Sequence, residues 1–379
     1  MIVIRSVLLT LAAVFGLVYL WMGCDADKVF SIVRYMYVLR FVENNFVEPV
    51  DFTKLEQGAY KGILDAVGDK HTIYMPPEEF QALEAQTRGD FGGIGIVMDF
   101  SDDGRVYVGS VFEEAPAAAA GLVVGDEIVA VDGTATLDLA PEEIASRIRG
   151  KEGTSVSLTI RREGAEFAAE IIRDTISYPT VAAKELTDTP SIAYVRISHF
   201  GDKTADEFRK EWDKAKRDAK QAMIIDLRFN PGGLLSSVTE IAGLLVPQGE
   251  IVSIVDNTGY REVIESDLVE ANPLPLVVLV NEYSASASEI LAGALKDHER
   301  ARIIGTTTYG KGSVQSVRPL FNEDGIKVTV ARYYLPNGES IDGVGVEPDE
   351  VVDFDRELGY DNQLAAATSY LTATYNLGE

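Results

Sequence analysis

From Ser191 onward the chain alternates apolar runs with helical segments, and this alternation narrows the possible folds more than any other feature. SIAYVRISHF precedes a charged helical stretch, Thr204–Asp218. AMIIDLRF leads through NPGG into a second helix, Leu234–Leu245. LPLVVLV precedes YSASASEI and the helical ILAGALKDHER, then RARIIG follows and GIKVTVARYYL closes the series. Strands that alternate with helices need crossover connections, and crossovers cover the faces of a parallel or mixed sheet. An α/β core is therefore expected over this half of the chain.

The rest of the chain reads differently. Apolar residues recur at helical spacing over Lys28–Glu43 (Val29, Ile32, Val33, Tyr37, Leu39, Val42), and further helices are expected at Phe52–Val67 and Pro77–Thr87. Residues 25–88 thus form a helical region suited to packing or dimer contact. From Phe91, the stretches GGIGIVMDF, RVYVGSVF, GDEIVAVDG and TSVSLTIRR read as short strands between Gly/Asp turns, interrupted by helices at Ala115–Ala120 and Pro141–Arg149. Asn362–Tyr375 reads as a final helix. With 379 residues, 46% hydrophobic and 25% charged, the chain can bury the cores of two or three domains.

Met1–Gly23 carries Arg5 as its only charge and is long enough to cross a hydrocarbon core. Arg5 ahead of it and Asp25 and Asp27 behind it favour an N-in orientation, with the remainder outside the cytoplasm. A cleaved signal would be shorter and end in a small-x-small site, which is not evident. Leu20–Cys24 matches a lipoprotein cleavage box poorly, because Trp21 and Met22 do not suit it. The segment is read as an uncleaved anchor, with a secreted form as the outcome if it is cut.

Net charge is −26, with 34 Lys and Arg against 60 Asp and Glu, so nucleic acid is excluded as a partner on electrostatic grounds. A single cysteine, Cys24, leaves no disulfide framework and no thiolate metal cluster. Three histidines, His71, His199 and His298, make a His-rich metal site unexpected, and neither metal nor cofactor is implied.

YSASASEI places three serines where a strand hands over to a helix. Its bland reading is a helix cap. As a nucleophile site it lacks the flanking glycines of G-x-S-x-G, and no serine is followed three residues later by Lys. A Ser/His/Asp triad would need His199, inside a strand, or His298, at a polar helix end where a solvated cation is expected. Gly305–Lys311, GTTTYGK, imitates a phosphate-binding loop. However, Gly312 stands where Ser or Thr must hold magnesium, and the following GSVQSVRPLF is extended rather than helical.

A glycine-flanked lysine has another use. The backbone can approach closely on both sides, and a shielded amine can serve as general base to a serine hydroxyl. Gln315 could orient that amine, although a surface lysine in a Gly turn is the bland alternative. Backbone amides for an oxyanion would come from Asn230–Gly233, between strand and helix, and from the helix start beside the nucleophile.

Together these residues resemble the carboxyl-terminal processing proteases. The signature N-x-x-S-A-S-A-S-E followed by G-x-x-T-x-G-K-G-x-x-Q stands here as NEYSASASEILAGALKDHERARIIGTTTYGKGSVQ. IDLRFNPGG, YLPNGESIDGVGVEPD and GDKHTIYMPPEEF match further family stretches, the last with Thr72 in place of Ser. FGGIGIVM, APAAAAGLVVGDEIVAVDG and RGKEGTSVSLTIRR resemble the family's PDZ domain, and the likeness covers roughly residues 30–370.

The resemblance implies a multi-domain α+β architecture. Its expected parts are a membrane segment at 1–23, a helical region at 25–88, a PDZ module at 89–174, a crotonase/ClpP-like α/β protease core at 175–355 and a helical tail at 356–379. Carried over by position, Ser286 is the nucleophile, Lys311 the base and Gln315 its positioner. The amides of Gly232 and Ala287 form the oxyanion hole. Gly92, Gly93, Ile94 and Gly95 form the loop that receives a peptide's C-terminus, with Arg149 as a candidate carboxylate sensor. The implied partners are proteins or peptides with apolar C-termini, the membrane, and a second copy in a homodimer. The competing expectations are a PDZ-bearing adaptor on an inactive protease scaffold and a His-based esterase.

Overall fold

The structure, a computed structural model, describes residues 25–88, 90–101, 103–112, 114–177, 179–269 and 274–377. The expected membrane segment lies outside these residues. No helix among the described residues is long and apolar enough to cross a membrane. The chain divides into one compact unit ending at Pro76 and a second running from Pro77 to the C-terminus.

In the first unit, helix α1 (Ala26–Asn45) starts at Asp25, whose carboxylate accepts from the amides of Asp27 and Lys28. Asp51 starts α2 (Phe52–Asp65) in the same way through Thr53 N, and a short strand, β1 (Ile73–Met75), follows. The helical spacing of α1 is as expected. Yet Phe30 and Tyr37 on it are 60% and 66% exposed.

The second unit opens with α3 (Pro77–Arg88) and β2 (Asp90–Gly93). A β module then runs through β3 (Ile96–Phe100), β4 (Val106–Val111), α4 (Pro116–Ala119), β5 (Glu127–Val131), β6 (Thr134–Ala135), α5 (Pro141–Ile148), β7 (Ser155–Arg162) and β8 (Ala165–Ile172). Its antiparallel sheet has the order β3-β4-β5-β7-β8, with β6 paired to β5. Val156, Leu158 and Ile160 alternate inward from β7 and join Val106, Val108, Ile128 and Ile144 in one core. Arg162 grips the buried Asp126 at 2.6 and 2.7 Å and so holds its carboxyl below the usual range. The chain leaves the module on β9 (Asp174–Ser177), which pairs antiparallel with the entering β2.

The α/β core comprises β10 (Val181–Glu185), β11 (Ile192–Ile197), α6 (Thr204–Arg217), β12 (Ala222–Asp226), α7 (Leu235–Leu245), β13 (Gly249–Asp256), β14 (Arg261–Ser266), β15 (Leu276–Val280), α8 (Ala287–Asp297), β16 (Ala301–Gly305), β17 (Ser313–Pro319), β18 (Gly325–Tyr334), β19 (Glu350–Val351) and α9 (Asn362–Tyr375). Its main sheet has the order β10-β11-β12-β15-β16-β19, and all its pairs except β10–β11 are parallel.

Phe208 and Trp212 of α6, Val238 and Ile241 of α7, and Ile290 and Leu291 of α8 cover one face. Ala367 and Leu371 of α9 cover the other, against Tyr194, Ile224 and Val277. With both faces covered, AMIID and LVVLV are buried at every position, so they read as runs rather than alternations. GIKVTVARYYL leaves this sheet. As β18 it pairs antiparallel with β17 and β13 in a second sheet, because GSVQSVRP folds back on it as a long hairpin. Three loops, after β12, β15 and β16, emerge together at the carboxyl ends of adjacent parallel strands, where open α/β sheets place their sites.

Candidate active site

Ser286 sits between β15 and α8 with φ 56° and ψ −113°, a conformation L-residues adopt at a cost. The chain therefore makes a strained strand-to-helix elbow without flanking glycines, and the small Ala285 and Ala287 take their place. Ser284 secures the approach. Its hydroxyl donates to Leu227 O at 2.8 Å and accepts from Asn281 N at 3.0 Å. Ser288 caps no amide among the described residues. Its Oγ donates instead to Asn230 O at 3.0 Å and ties the helix start to the loop after β12.

The loop after β12 rests against this elbow. A Cβ on Gly232, at φ +100°, would lie 2.6 Å from Ala285 O, 2.8 Å from Ser286 Cβ and 3.0 Å from Ala287 N. Only glycine allows that approach. Asn230, fully buried, organises the loop: its Nδ2 donates to Ile197 O, its carbonyl accepts from Ala285 N, and its Oδ1 accepts from Gly232 N at 2.9 Å. The two expected oxyanion amides thus lie side by side but in different states. Gly232 N–H is directed at Asn230, while Ala287 N–H, in the first turn of α8, donates to nothing among the described residues.

Lys311 is half-buried between two glycines, as its spacing suggests. A Cβ on Gly310 would come within 3.0 Å of Val344 N, and one on Gly312 within 2.5 Å of Asp342 N, so the 342–345 loop encloses this turn from one side. Gln315 lies on β17, with Nε2 donating to Ser313 Oγ at 2.8 Å, which leaves its amide oxygen to act as an acceptor.

Two residues at this centre escaped the sequence reading. Glu289 is buried, and its carboxylate accepts from Ser286 N (2.7 Å), Thr308 Oγ1 (2.6 Å), Gly310 N (2.7 Å) and Lys311 N (2.8 Å). One side chain therefore fixes the backbones of both the elbow and the lysine turn. Its place at N3 after a serine matches a capping box, which was the available signal. Tyr333 of β18 is the second. Its side chain is buried, and burial pushes its pKa up to about 12, while the Ser286 side chain acts to lower it. His298, at the end of α8, is not fully solvated. Its ring is partly buried, with Nε2 2.7 Å from Glu250 O, because the end of α8 packs on β13. Burial pushes the pKa of His199 down, and its Nδ1 lies 3.3 Å from Ser198 Oγ.

In the β module, Gly92 and Gly93 lie on β2, and Ile94 is buried, with its carbonyl accepting from Ala117 N. Gly95, at φ +77°, packs against Ala115. Gly150 N donates to Gly92 O at 3.1 Å, so the exposed Arg149 borders this loop. Arg173, unremarked in the sequence, braces it from below. Its guanidinium is buried and donates to the carbonyls of Arg147, Ile148 and Ser155.

A strained serine elbow at the carboxyl ends of a parallel sheet, in a chain that also carries a small antiparallel β module, fits a class of serine peptidase. Matches to known families agree with it. The model of peptidase family S41 matches residues 191–352, and that of the PDZ domain matches 107–162. The carboxy-terminal-processing protease of Bartonella bacilliformis is 35% identical over 87% of this chain and 78% of that protein. The carboxyl-terminal-processing protease of a Synechocystis species is 36% identical over 85% and 75%. Among solved structures, the photosystem II D1 C-terminal processing protease is 28% identical, with TM-score 0.52 over 87% of this chain and 94% of that one. The chain belongs to the carboxy-terminal-processing proteases, PDZ-bearing serine peptidases of family S41.

Proposed function

We propose that this peptidase captures the apolar C-terminal tail of a polypeptide on its PDZ module and cleaves nearby with a Ser286/Lys311 dyad. Ser286 Oγ attacks the scissile carbonyl carbon while its proton passes to the Lys311 amine, held by Gln315. The carbonyl oxygen takes the electron pair and meets Ala287 N–H. Gly232 N–H joins it by exchanging Asn230 Oδ1 for the oxyanion. Collapse breaks the C–N bond, the leaving amine takes the proton from Lys311, and water hydrolyses the acyl-enzyme. The carrying observation is the Glu289 carboxylate, which bonds the backbones of Ser286 and Lys311 alike. Such a link holds the serine elbow and the lysine turn in register, as a Ser/Lys dyad requires.

The tail would add as a strand beside the Gly92–Gly95 loop, with Arg149 near its carboxylate. Anchoring through Met1–Gly23 would place the enzyme on the outer face of the membrane. The exposed apolar residues of α1 favour association with a second copy.

The test is cleavage of an unstructured protein such as casein by the full chain and by Ser286→Ala and Lys311→Ala. Each variant is expected to lose about 10³-fold or more of kcat, and wild-type activity should rise with pH as the lysine loses its proton. Retained cleavage by either variant would sink the assignment, and binding without turnover by the wild type would favour the adaptor.

A further inference from the structure

Two large aromatic side chains stand in solvent beside the site. Phe229 is 57% exposed and Tyr283 56% exposed, and their rings stack with centroids 5.4 Å apart and planes 17° from parallel. Phe229 adopts φ +62°, a left-handed conformation unfavourable for a bulky residue. Nothing in the core repays that strain, since the ring points out of it. Strain on an exposed residue persists where the surroundings impose it, and such positions cluster at functional sites. The imposing group here is Asn281, nearly buried. Its Oδ1 accepts from both Phe229 N (2.9 Å) and Tyr283 N (3.2 Å), holding the two loops so that their rings stack.

Position connects the pair to the reaction. Phe229 lies three residues before Gly232, and Tyr283 three before Ser286, a reach of at most about 11 Å of extended chain in each case. Tyr309, also 52% exposed, lies on the third loop two residues before Lys311, with its amide bonded to Ser284 O. All three loops that build the centre therefore present an aromatic ring at its rim.

We infer that the Phe229–Tyr283 stack is a specificity-determining subsite that binds a large apolar side chain of the substrate next to the scissile bond. Two rings already stacked and tied through their backbones lose little freedom on binding and offer a flat apolar face. The inference rests on the peptidase reading and adds a selectivity to it that is separate from the tail preference of the PDZ module.

The experiment uses the full chain and matched fluorogenic peptides with one common C-terminal tail, differing only in whether Leu, Phe or Asn occupies each position flanking the scissile bond. The wild type should prefer Leu or Phe at one of these positions. The variant Phe229→Ala/Tyr283→Ala should lose about tenfold or more of kcat/KM on that apolar peptide while keeping its rate on the Asn peptide. Phe229→Gly removes the ring and also relieves the left-handed strain, so it should melt no lower than wild type and still lose the preference. An equal loss on all peptides, an unchanged preference in both variants, or a double variant that changes from dimer to monomer with preference intact would each overturn the subsite. Absence of cleavage by the wild type would instead overturn the peptidase reading beneath it.

Discussion

Four donors converge on the Glu289 carboxylate, and two of them are the amides of Ser286 and Lys311. Replacing it by Gln keeps the volume but turns one acceptor oxygen into an NH2. Whichever way that amide turns, its NH2 meets two donors, and each orphaned donor costs about 1–3 kcal/mol. Glu289→Gln is expected to lower kcat on the order of 100-fold, because a small shift of nucleophile against base is enough for that. The measurement is steady-state kinetics alongside a melting curve, and full activity in a folded variant would refute the role. The serine elbow and the glycine-flanked lysine turn were legible in the sequence as close backbone approaches, whereas the choice of Ser286 among the serines came from the family resemblance alone. Glu289 was not legible, because its partners come from residues 308–311 and are gathered only by folding. Tyr333 was hidden likewise, as the strand that carries it belongs to a different sheet from the elbow.

Among the elements, the β2–β9 pair is the connection through which the chain enters and leaves the PDZ module. It was invisible in the sequence, since it joins segments far apart and each strand is too short to show a period. Most helices were legible to within a residue or two, because caps and apolar spacing are local signals, but α8 begins and ends three residues earlier than ILAGALKDHER suggests, since the serine elbow itself opens it. The antiparallel placing of β18 depended on its hairpin with β17 and so on a tertiary choice. On β2, a Cβ at Gly92 would fall 1.9 Å from Gly150 O, so any side chain must part β2 from the Arg149–Gly153 loop. Gly92→Ala should therefore weaken binding of an apolar C-terminal peptide by about tenfold, an effect of about 1.4 kcal/mol. Turnover of a short peptide lacking such a tail should be spared. Fluorescence anisotropy with a labelled tail peptide reads the first and a fluorogenic assay the second. Unchanged affinity would mean that the loop is not where tails bind.

Across the core, α9 is tied to the active-site face by one cation. Arg228, nearly buried, makes two bonds to Asp226, two to Asp361 at 2.7 and 2.8 Å, and one to Gln363. Asp226 is also held by the Tyr194 hydroxyl at 2.6 Å, and burial raises that phenol's pKa. The C-terminal helix is thus clamped to the chain one residue before Phe229 and two before Asn230, so the last helix steadies the loop that carries Gly232. Arg228→Met would leave the Asp226 carboxylate buried without its cation, at a cost of about 3–5 kcal/mol. Burial alone would raise the pKa of Asp361, but the guanidinium outweighs it and holds the carboxyl below its ordinary 3.8. A lowered carboxyl pKa contributes stability that is present above its unfolded value and is lost as pH falls through the folded one. Wild-type stability should therefore drop on acidification from about pH 7 to pH 3, and Arg228→Met should drop less over the same interval from its lower start. Urea titrations at both pH values measure this difference, and parallel losses in the two proteins would show that the Arg228–Asp361 clamp does not set the acid limb of stability.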